Sequence, residues 1–473
     1  MTGKTLLTLG WPGGPLIGMG LKAAETLMTD SVTENFVLER LEQVRSLPQS
    51  FINDPLLGAV AREWLRLTAP QRNAEAGRLR ETPIPFARWG ESLIDSNAIE
   101  QMSNAARLPI ARAGALMPDA HHGYGLPVGG VLATEGAIIP YAVGVDIACR
   151  MRLTVFDASP HLLEQKHKKF EKALLEETRF GVGSSREANE RPEHPVLDDP
   201  AWEELRLLRP LKGKAWAQLG TSGSGNHFVE FGILRLGTDE PGLGLKAGKY
   251  LALLSHSGSR GVGATIADTF TKIAREQHPK LDRSVEHLAW LDMKSDAGQE
   301  YWLAMNLAGR YAAANHAVIH ELLTQALRLE ALAVIENHHN FCWEETLPDG
   351  TPVYVHRKGA TPAGAGVLGV IPGSMGDPGY VVRGLGNPDA LNSASHGAGR
   401  RLGRREAKRK LDPKLWQKYL KDRNITLLGG SLDEAPQAYK SINDVMAAQS
   451  DLVEIVASFT PRLVRMAEES GAF

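Results

Sequence analysis

Five residues in this chain have the chemistry of metal ligands, and a sixth has that of a nucleophile. Asp146 and Cys149 share the segment VGVDIAC, a D-x-x-C spacing short enough for both to reach one centre. His227, His256 and His339 lie in SGSGNHF, SHSGSRG and NHHNF. A carboxylate, a thiolate and three imidazoles suffice for one or two divalent cations, and this mixture admits Mn, Fe, Co or Zn. The five are not joined by a local motif such as C-x-x-C. Taken singly, each histidine also fits a hydrogen-bonded structural role, and a lone cysteine fits a buried core position. His396 sits in SHGAGRR, among small residues and close to Arg400 and Arg401. Small neighbours leave an imidazole accessible, and arginines suit phosphate. A histidine attacking phosphorus requires such surroundings, although a turn histidine in a glycine-rich loop has the same spelling.

The elements that must position these groups are loops between strands. Glycine accounts for 48 of the 473 residues, about 10% against a usual share of roughly 7%. Much of it clusters with histidine in DAHHGYG (119–125), SGSGNHF (222–228), SHSGSRG (255–261) and ASHGAGR (394–400), with NHHNF (337–341) as a fifth histidine loop. Glycine lets a backbone turn tightly or approach a ligand closely, so these loops point to one shared pocket. Apolar strand-like runs flank them at Gly130–Ile139, Tyr250–Ser255, Leu332–Ile335, Pro352–His356, Val367–Ile371 and Tyr380–Arg383. Helical spacing predicts helices over 160–176, 201–210, 263–277, 298–330, 404–421 and 442–458, with a loop over Gly181–Pro200. The strands are not regularly interleaved with helices, so the expected class is α+β. The first 85 residues read as helical, with helices at Thr33–Leu47, capped by Asp30 or Ser31, and at Pro55–Leu67. The polar, proline-bounded stretch Ala69–Pro85 reads as a linker. No internal repeat is visible.

Composition excludes several classes. With 43% hydrophobic and 23% charged residues the chain is neither disordered nor a membrane protein. No apolar run approaches the roughly 20 residues of a membrane helix, and the N-terminus is a poor signal peptide. Two cysteines cannot build a disulfide framework, so a cytoplasmic location is expected. The net charge of -2 conceals segregation: Arg400–Arg423 holds 11 Lys or Arg against 3 acidic residues, a local +8, leaving -10 for the remainder. LALLSHSGSRGVGATIA has the strand, G-x-x-G-x-G and helix order of a nicotinamide-binding turn, and Tyr354 and Lys358 match the letters of Tyr-x-x-x-Lys. That pair reads as strand, however, where residues four apart are separated by roughly 13 Å. No Walker A sequence is present: LGTSGSGNHF lacks the Lys-Ser/Thr.

Together the segments MPDAHHGYGLPVGG (117–130), AVGVDIAC (142–149), LGTSGSGNHFVE (219–230), SHSGSRGVG (255–263), HHN (338–340), RKGA (357–360), IPGSMG (371–376), VVRGLGN (381–387), SHGAGR (395–400), DEAPQAYK (433–440) and VMAAQSDLVE (445–454) resemble the RtcB-type RNA-splicing ligases. These join RNA 3′-phosphate or 2′,3′-cyclic phosphate ends to 5′-hydroxyl ends. The resemblance runs from about residue 98 to about 460. It implies an RtcB-like α+β fold, with mixed or antiparallel sheets around a central metal and nucleotide cleft and helices at the periphery. Residues 86–473 would form this catalytic domain and 1–85 a helical extension. It implies two Mn²⁺ ions, one held by Asp146, Cys149 and His227, the other by Cys149, His256 and His339. GTP would guanylate His396, and Asp119 resembles an acidic residue needed for later steps. Asn226, Phe228, Glu230, Ser374, Gly397, Ala398, Gly399 and Tyr439 would form the guanylate pocket, and Asn340 would touch a phosphate. RNA is the implied partner, in RNA repair or tRNA splicing, with an archease-type helper. Two departures stand out. Ala148 and Arg150 flank Cys149 where the family often has glycine, and the terminal RLVRMAEESGAF lacks the usual Lys, leaving Arg462 or Arg465 as substitutes. A metal-dependent phosphoesterase that opens cyclic phosphates without joining ends is the alternative reading.

Overall fold

Helical periodicity in the first 68 residues produces helices at Gly3–Thr8, Pro15–Leu27, Glu34–Ser46 and Gly58–Thr68. Their apolar faces bury Leu6, Leu16, Val37, Leu41, Val44 and Val60, and Trp11 packs edge-on against Trp64 at 5.1 Å. Thr33 caps the third helix, its hydroxyl accepting from the Phe36 N–H at 3.4 Å. The computed structural model describes residues 1–11, 14–28, 32–68 and 77–468, so Asp30 and Ser31 lie outside the described residues, as do 69–76 of the linker segment. The chain divides into two compact units, Met1–Gly77 and Arg78–Phe473. Within the second, the Arg80 and Ile84 N–H groups donate to the carbonyls of Arg107 and Ala106.

Two sheets dominate the larger unit, which is α+β as expected. One runs in the spatial order Ala87–Arg88, Ala111–His121, Val128–Thr134, Pro352–Lys358, Asn340–Thr346. The other runs Leu368–Ile371, Gly379–Gly384, Val453–Glu468, Phe228–Leu236, Gly248–Ser257, Arg150–Phe156, Ala331–His338, with Thr426–Gly430 parallel beside Val453–Glu468. Neighbours along that seven-strand path are antiparallel. Ala331–His338 and Asn340–Thr346 belong to different sheets, and the single residue between them is His339.

The long helices fall at Arg260–Gln277 and Asp296–Leu327, close to the periodic segments. Three expected helices are shorter or divided. The 160–176 pattern breaks at Lys166 into His161–Gln165 and His167–Glu177, and 201–210 is helical only over Ala201–Glu204. Arg404–Lys410 and Pro413–Asp422 replace one helix, because Asp412 caps the second at the Lys414 N–H and Pro413 cannot continue the first. The helix expected over 442–458 is corrected: it ends at Ala447, and Val453–Glu468 is a strand at the heart of the larger sheet. From 457 to 463 the buried residues are Ala457, Phe459, Pro461 and Leu463, a period of two. Several strands have no alternation to read. Ala111–His121, Arg150–Phe156 and Phe228–Leu236 are buried on both faces and appear in the sequence as mixed apolar runs. Truncating fully buried Phe459 tests the corrected strand. Phe459→Ala is expected to lower stability by about 3–5 kcal/mol in urea unfolding.

Candidate metal and nucleotide site

Strand register sets the positions of the metal-type residues. Arg150 stands opposite Ser257 on one side and His338 on the other, and Phe228 stands opposite His256. Cys149, His227, His256 and His339 therefore gather at one end of four adjacent strands. Asp146 joins them from the turn before Cys149, whose N–H donates to the Asp146 carbonyl at 3.2 Å. The ligand atoms form two groups, Asp146–Cys149–His227 and Cys149–His256–His339, each with its atoms within 4.8 Å of one another. Cys149 belongs to both.

Hydrogen bonds decide which ring nitrogens face inward. His227 Nδ1 lies 2.6 Å from the Ser222 carbonyl and His256 Nδ1 3.1 Å from the Asn226 carbonyl. A carbonyl only accepts, so each Nδ1 carries the proton and each Nε2 presents a lone pair. His227 Nε2 is 3.1 Å from Asp146 Oδ2 and 3.5 Å from Cys149 Sγ. His256 Nε2 is 3.1 Å from Cys149 Sγ and 3.3 Å from His339 Nε2. Acceptors this close repel unless a proton or a cation lies between them. Burial and the Asp146 charge push the Cys149 thiol well up, and burial together with His227 lowers His256 to about 3. Protons are thus a poor solution for His256, whose ring stays neutral at pH 7. A divalent cation would suit the whole set, since it favours thiolate and neutral imidazole together.

These residues line one end of a cavity of about 1110 Å³. His396 lines it too, its ring centroid 4.9 Å from that of His339. Behind His396 lies Asp119, which is fully buried. Its Oδ2 is 2.7 Å from His396 Nδ1 and also accepts from the His396 and Gly397 N–H groups at 3.2 and 3.4 Å. Burial pushes the Asp119 carboxyl up, but the bond to His396, helped by the charges of His396, Lys440 and His121, holds it below its ordinary value. The carboxylate thus keeps the proton on Nδ1 and leaves Nε2 with a free lone pair, without a hydrogen-bond partner among the described residues. Gly399 permits the close turn behind this pair: its φ is +71°, and an added Cβ would meet the Asp119 carbonyl at 2.1 Å.

Asn226, Phe228, Glu230, Ser374, Gly397, Ala398, Gly399 and Tyr439 line the same cavity. Burial alone raises the Glu230 carboxyl well above its usual range. Ser374 Oγ is held by Asp377 at 2.5 Å, while the Tyr439 hydroxyl meets Glu434 and accepts from Arg400 at 3.3 Å. Asn340 is a cavity residue whose amide already bridges two loops. Its oxygen accepts from the Gly359 N–H at 2.9 Å and its nitrogen donates to the Asp146 carbonyl at 3.2 Å, leaving one N–H for a ligand. Cys342 is packed in the apolar core instead.

A family model described as "tRNA-splicing ligase RtcB" matches residues 101–467. The chain belongs to the RtcB family. The RNA-splicing ligase RtcB of Escherichia coli (strain K12) is 34% identical over 408 residues, covering 79% of this chain and 95% of that protein. The tRNA-splicing ligase RtcB of Thermococcus kodakarensis is 31% identical over 445 residues, with 78% and 91% covered. The RNA-splicing ligase RtcB of Mycobacterium tuberculosis (strain H37Rv) is 32% identical over 436 residues, with 76% and 98% covered.

In this RtcB-family chain the residues named above as departures from the resemblance each have a definite setting. Ala148 adopts φ +55°, a left-handed conformation that glycine takes without strain. Arg150 turns away from the cavity to pair with Glu336 at 3.4 Å. Neither candidate for the missing Lys lines the cavity. Arg462 donates to the Arg423 carbonyl at 3.0 Å, and Arg465 lies over the Phe180 ring at 5.6 Å. Arg465 alternates with Val464 and Met466, whose neighbours across the strand pair are the cavity residues Glu230 and Phe228. Residues 469–473 of the terminal segment lie outside the described residues. The cavity's cations come from elsewhere: Arg260, Lys358, Arg400, Arg401, Arg404 and Arg405 all line it. Arg260 and Lys358 sit inside the SHSGSRG and RKGA segments, but their letters alone did not separate them from other surface cations.

Proposed function

We propose that the chain is a GTP- and Mn²⁺-dependent RNA ligase joining 3′-phosphate or 2′,3′-cyclic phosphate ends to 5′-hydroxyl ends, in RNA repair or tRNA splicing. The observation that carries this reading is the Asp119–His396 pair, which leaves a nucleophilic Nε2 beside two donor triads sharing one thiolate. Asp146, Cys149 and His227 would hold one cation, and Cys149, His256 and His339 the other. Bound there, the cations would act as Lewis acids on phosphate oxygens. The chain's own groups supply the rest. His396 Nε2 attacks the α-phosphorus of GTP and pyrophosphate leaves. An oxygen of the RNA 3′-phosphate then attacks that phosphorus and displaces the imidazole, whose proton stays on Nδ1, hydrogen-bonded to the Asp119 carboxylate, throughout. The 5′-hydroxyl attacks the 3′-phosphorus, GMP leaves and a phosphodiester forms. A cyclic phosphate is first opened by water. Glu230 suits the guanine N1–H and N2–H₂ donors, which would restore the carboxylate that burial disfavours. Asn226, Phe228, Ser374, Gly397, Ala398, Gly399 and Tyr439 would enclose the nucleotide, and Asn340 would offer its remaining N–H to a phosphate.

RNA ending in 3′-phosphate, mixed with 5′-hydroxyl RNA, GTP and Mn²⁺, should yield joined product; 3′-phosphate accumulating without joining would favour the phosphoesterase. Adding an archease-type protein tests the helper. No helix among the described residues is long and apolar enough to cross a membrane, and a cytoplasmic site of action is part of the proposal. Asp119→Asn keeps the shape of the His396 partner but removes the charge that fixes the tautomer. Single-turnover guanylation is expected to slow by about 10²–10⁴-fold, with metal content unchanged.

A further inference from the structure

The rim of the cavity carries an aromatic ring that the ligase steps leave without a role. Tyr124, in the DAHHGYG loop, lines the cavity and is 69% exposed. Its loop is tied down: Gln101 bonds both the N–H and the carbonyl of Gly123, at 3.0 and 2.7 Å. Tyr124 is also backed by other rings. His287 meets it edge-on at 6.4 Å and stacks on Tyr141 at 5.2 Å with an interplanar angle of 24°. Lys358, whose ammonium lies 5.1 Å from the centre of the Tyr141 ring, donates to the Tyr124 carbonyl. The residue after Lys358 is Gly359, where an added Cβ would stand 3.2 Å from His396 Cε1. The exposed ring is thus connected by a short, fixed run of contacts to the proposed nucleophile.

A large ring left mostly in water adds little to packing. On a firm support beside a cation-lined cavity, it is suited to the face of an unpaired base. We propose that Tyr124 is a stacking platform for a nucleobase near the RNA end that enters the cavity. The proposal rests on the ligase reading for the identity of its ligand. It assigns Tyr124 to RNA binding and not to nucleotide transfer.

Binding is measured by fluorescence anisotropy with a short single-stranded RNA ending in 3′-phosphate and, separately, one beginning with 5′-hydroxyl. Tyr124→Ala should weaken Kd for one of them by about tenfold or more, and Tyr124→Phe should restore it. Thermal unfolding should be unchanged in both variants. An abasic nucleotide placed in turn at each of the last three positions should weaken wild-type binding at one position. There Tyr124→Ala should add nothing further, because the stacked base is already gone. Unchanged Kd in Tyr124→Ala, or a loss that the phenylalanine does not restore, would overturn the proposal. So would a loss equally large with every abasic RNA. Ligation by the wild-type chain is assayed in parallel. Absence of joined product counts against the ligase reading, while the binding series still decides the platform.

Discussion

Replacing Cys149 by alanine is expected to empty both metal positions at once. Its Sγ belongs to both groups of ligand atoms, so no other single change removes a donor from each. The remaining donors would be Asp146 with His227, and His256 with His339. Two donors are below the three or four of an ordinary transition-metal site. Metal analysis of the purified variant should show bound Mn²⁺ falling to background. Ligation should fall by more than about 10³-fold, the equivalent of several kcal/mol of lost Lewis-acid stabilisation. Asp146→Ala should behave differently, losing one ion and keeping the other. Equal metal content in the wild type and Cys149→Ala would contradict the shared-thiolate arrangement. Circular dichroism with thermal melting separates metal loss from unfolding.

Replacing His396 by alanine should abolish covalent labelling and ligation while leaving the metal in place. The ring touches His339 but supplies no atom to either group of ligand atoms. Chemistry and metal binding therefore separate at this residue, as they cannot at Cys149. Among the described residues, no other histidine that lines the cavity has a carboxylate behind its Nδ1. His227 and His256 both use Nδ1 on backbone carbonyls and turn Nε2 towards Cys149. Joined RNA formed by His396→Ala at the wild-type rate would rule out a histidine-bound guanylate on this residue.

The metal-type residues are legible because they are rare chemistries at strand ends, most of them in glycine-containing loops and His339 in NHHNF. His256 follows an apolar run, and Cys149 precedes one. Their convergence was not legible. It depends on register, such as Phe228 opposite His256, and register is set by long-range pairing. The pairing of Asp119 with His396 spans 277 residues, and nothing local in the sequence marks Asp119 apart from the resemblance. The start of strand Val453–Glu468 reads as helix because VEIVAS satisfies helical and strand spacing alike over a short window. The alternation that settles it comes at Ala457–Leu463 and includes Pro461. Arg465 illustrates a different limit. Its charge made it a candidate substitute for the missing Lys, but the two-residue period of a strand decides which way a side chain turns. Lys358 is the reverse case. In the sequence it is half of a Tyr-x-x-x-Lys spelling that a strand cannot use, and in the fold it lines the cavity as the last residue of a strand. Burial lowers its ammonium to about 7.

The most direct test of the central claim is incubation of the wild-type chain with GTP labelled at the α-phosphate, in Mn²⁺, followed by denaturation and peptide mapping. The label should be acid-labile, absent when the γ-phosphate is labelled instead, and confined to the peptide that contains His396. No label in any divalent metal, or label on a peptide without His396, would contradict it.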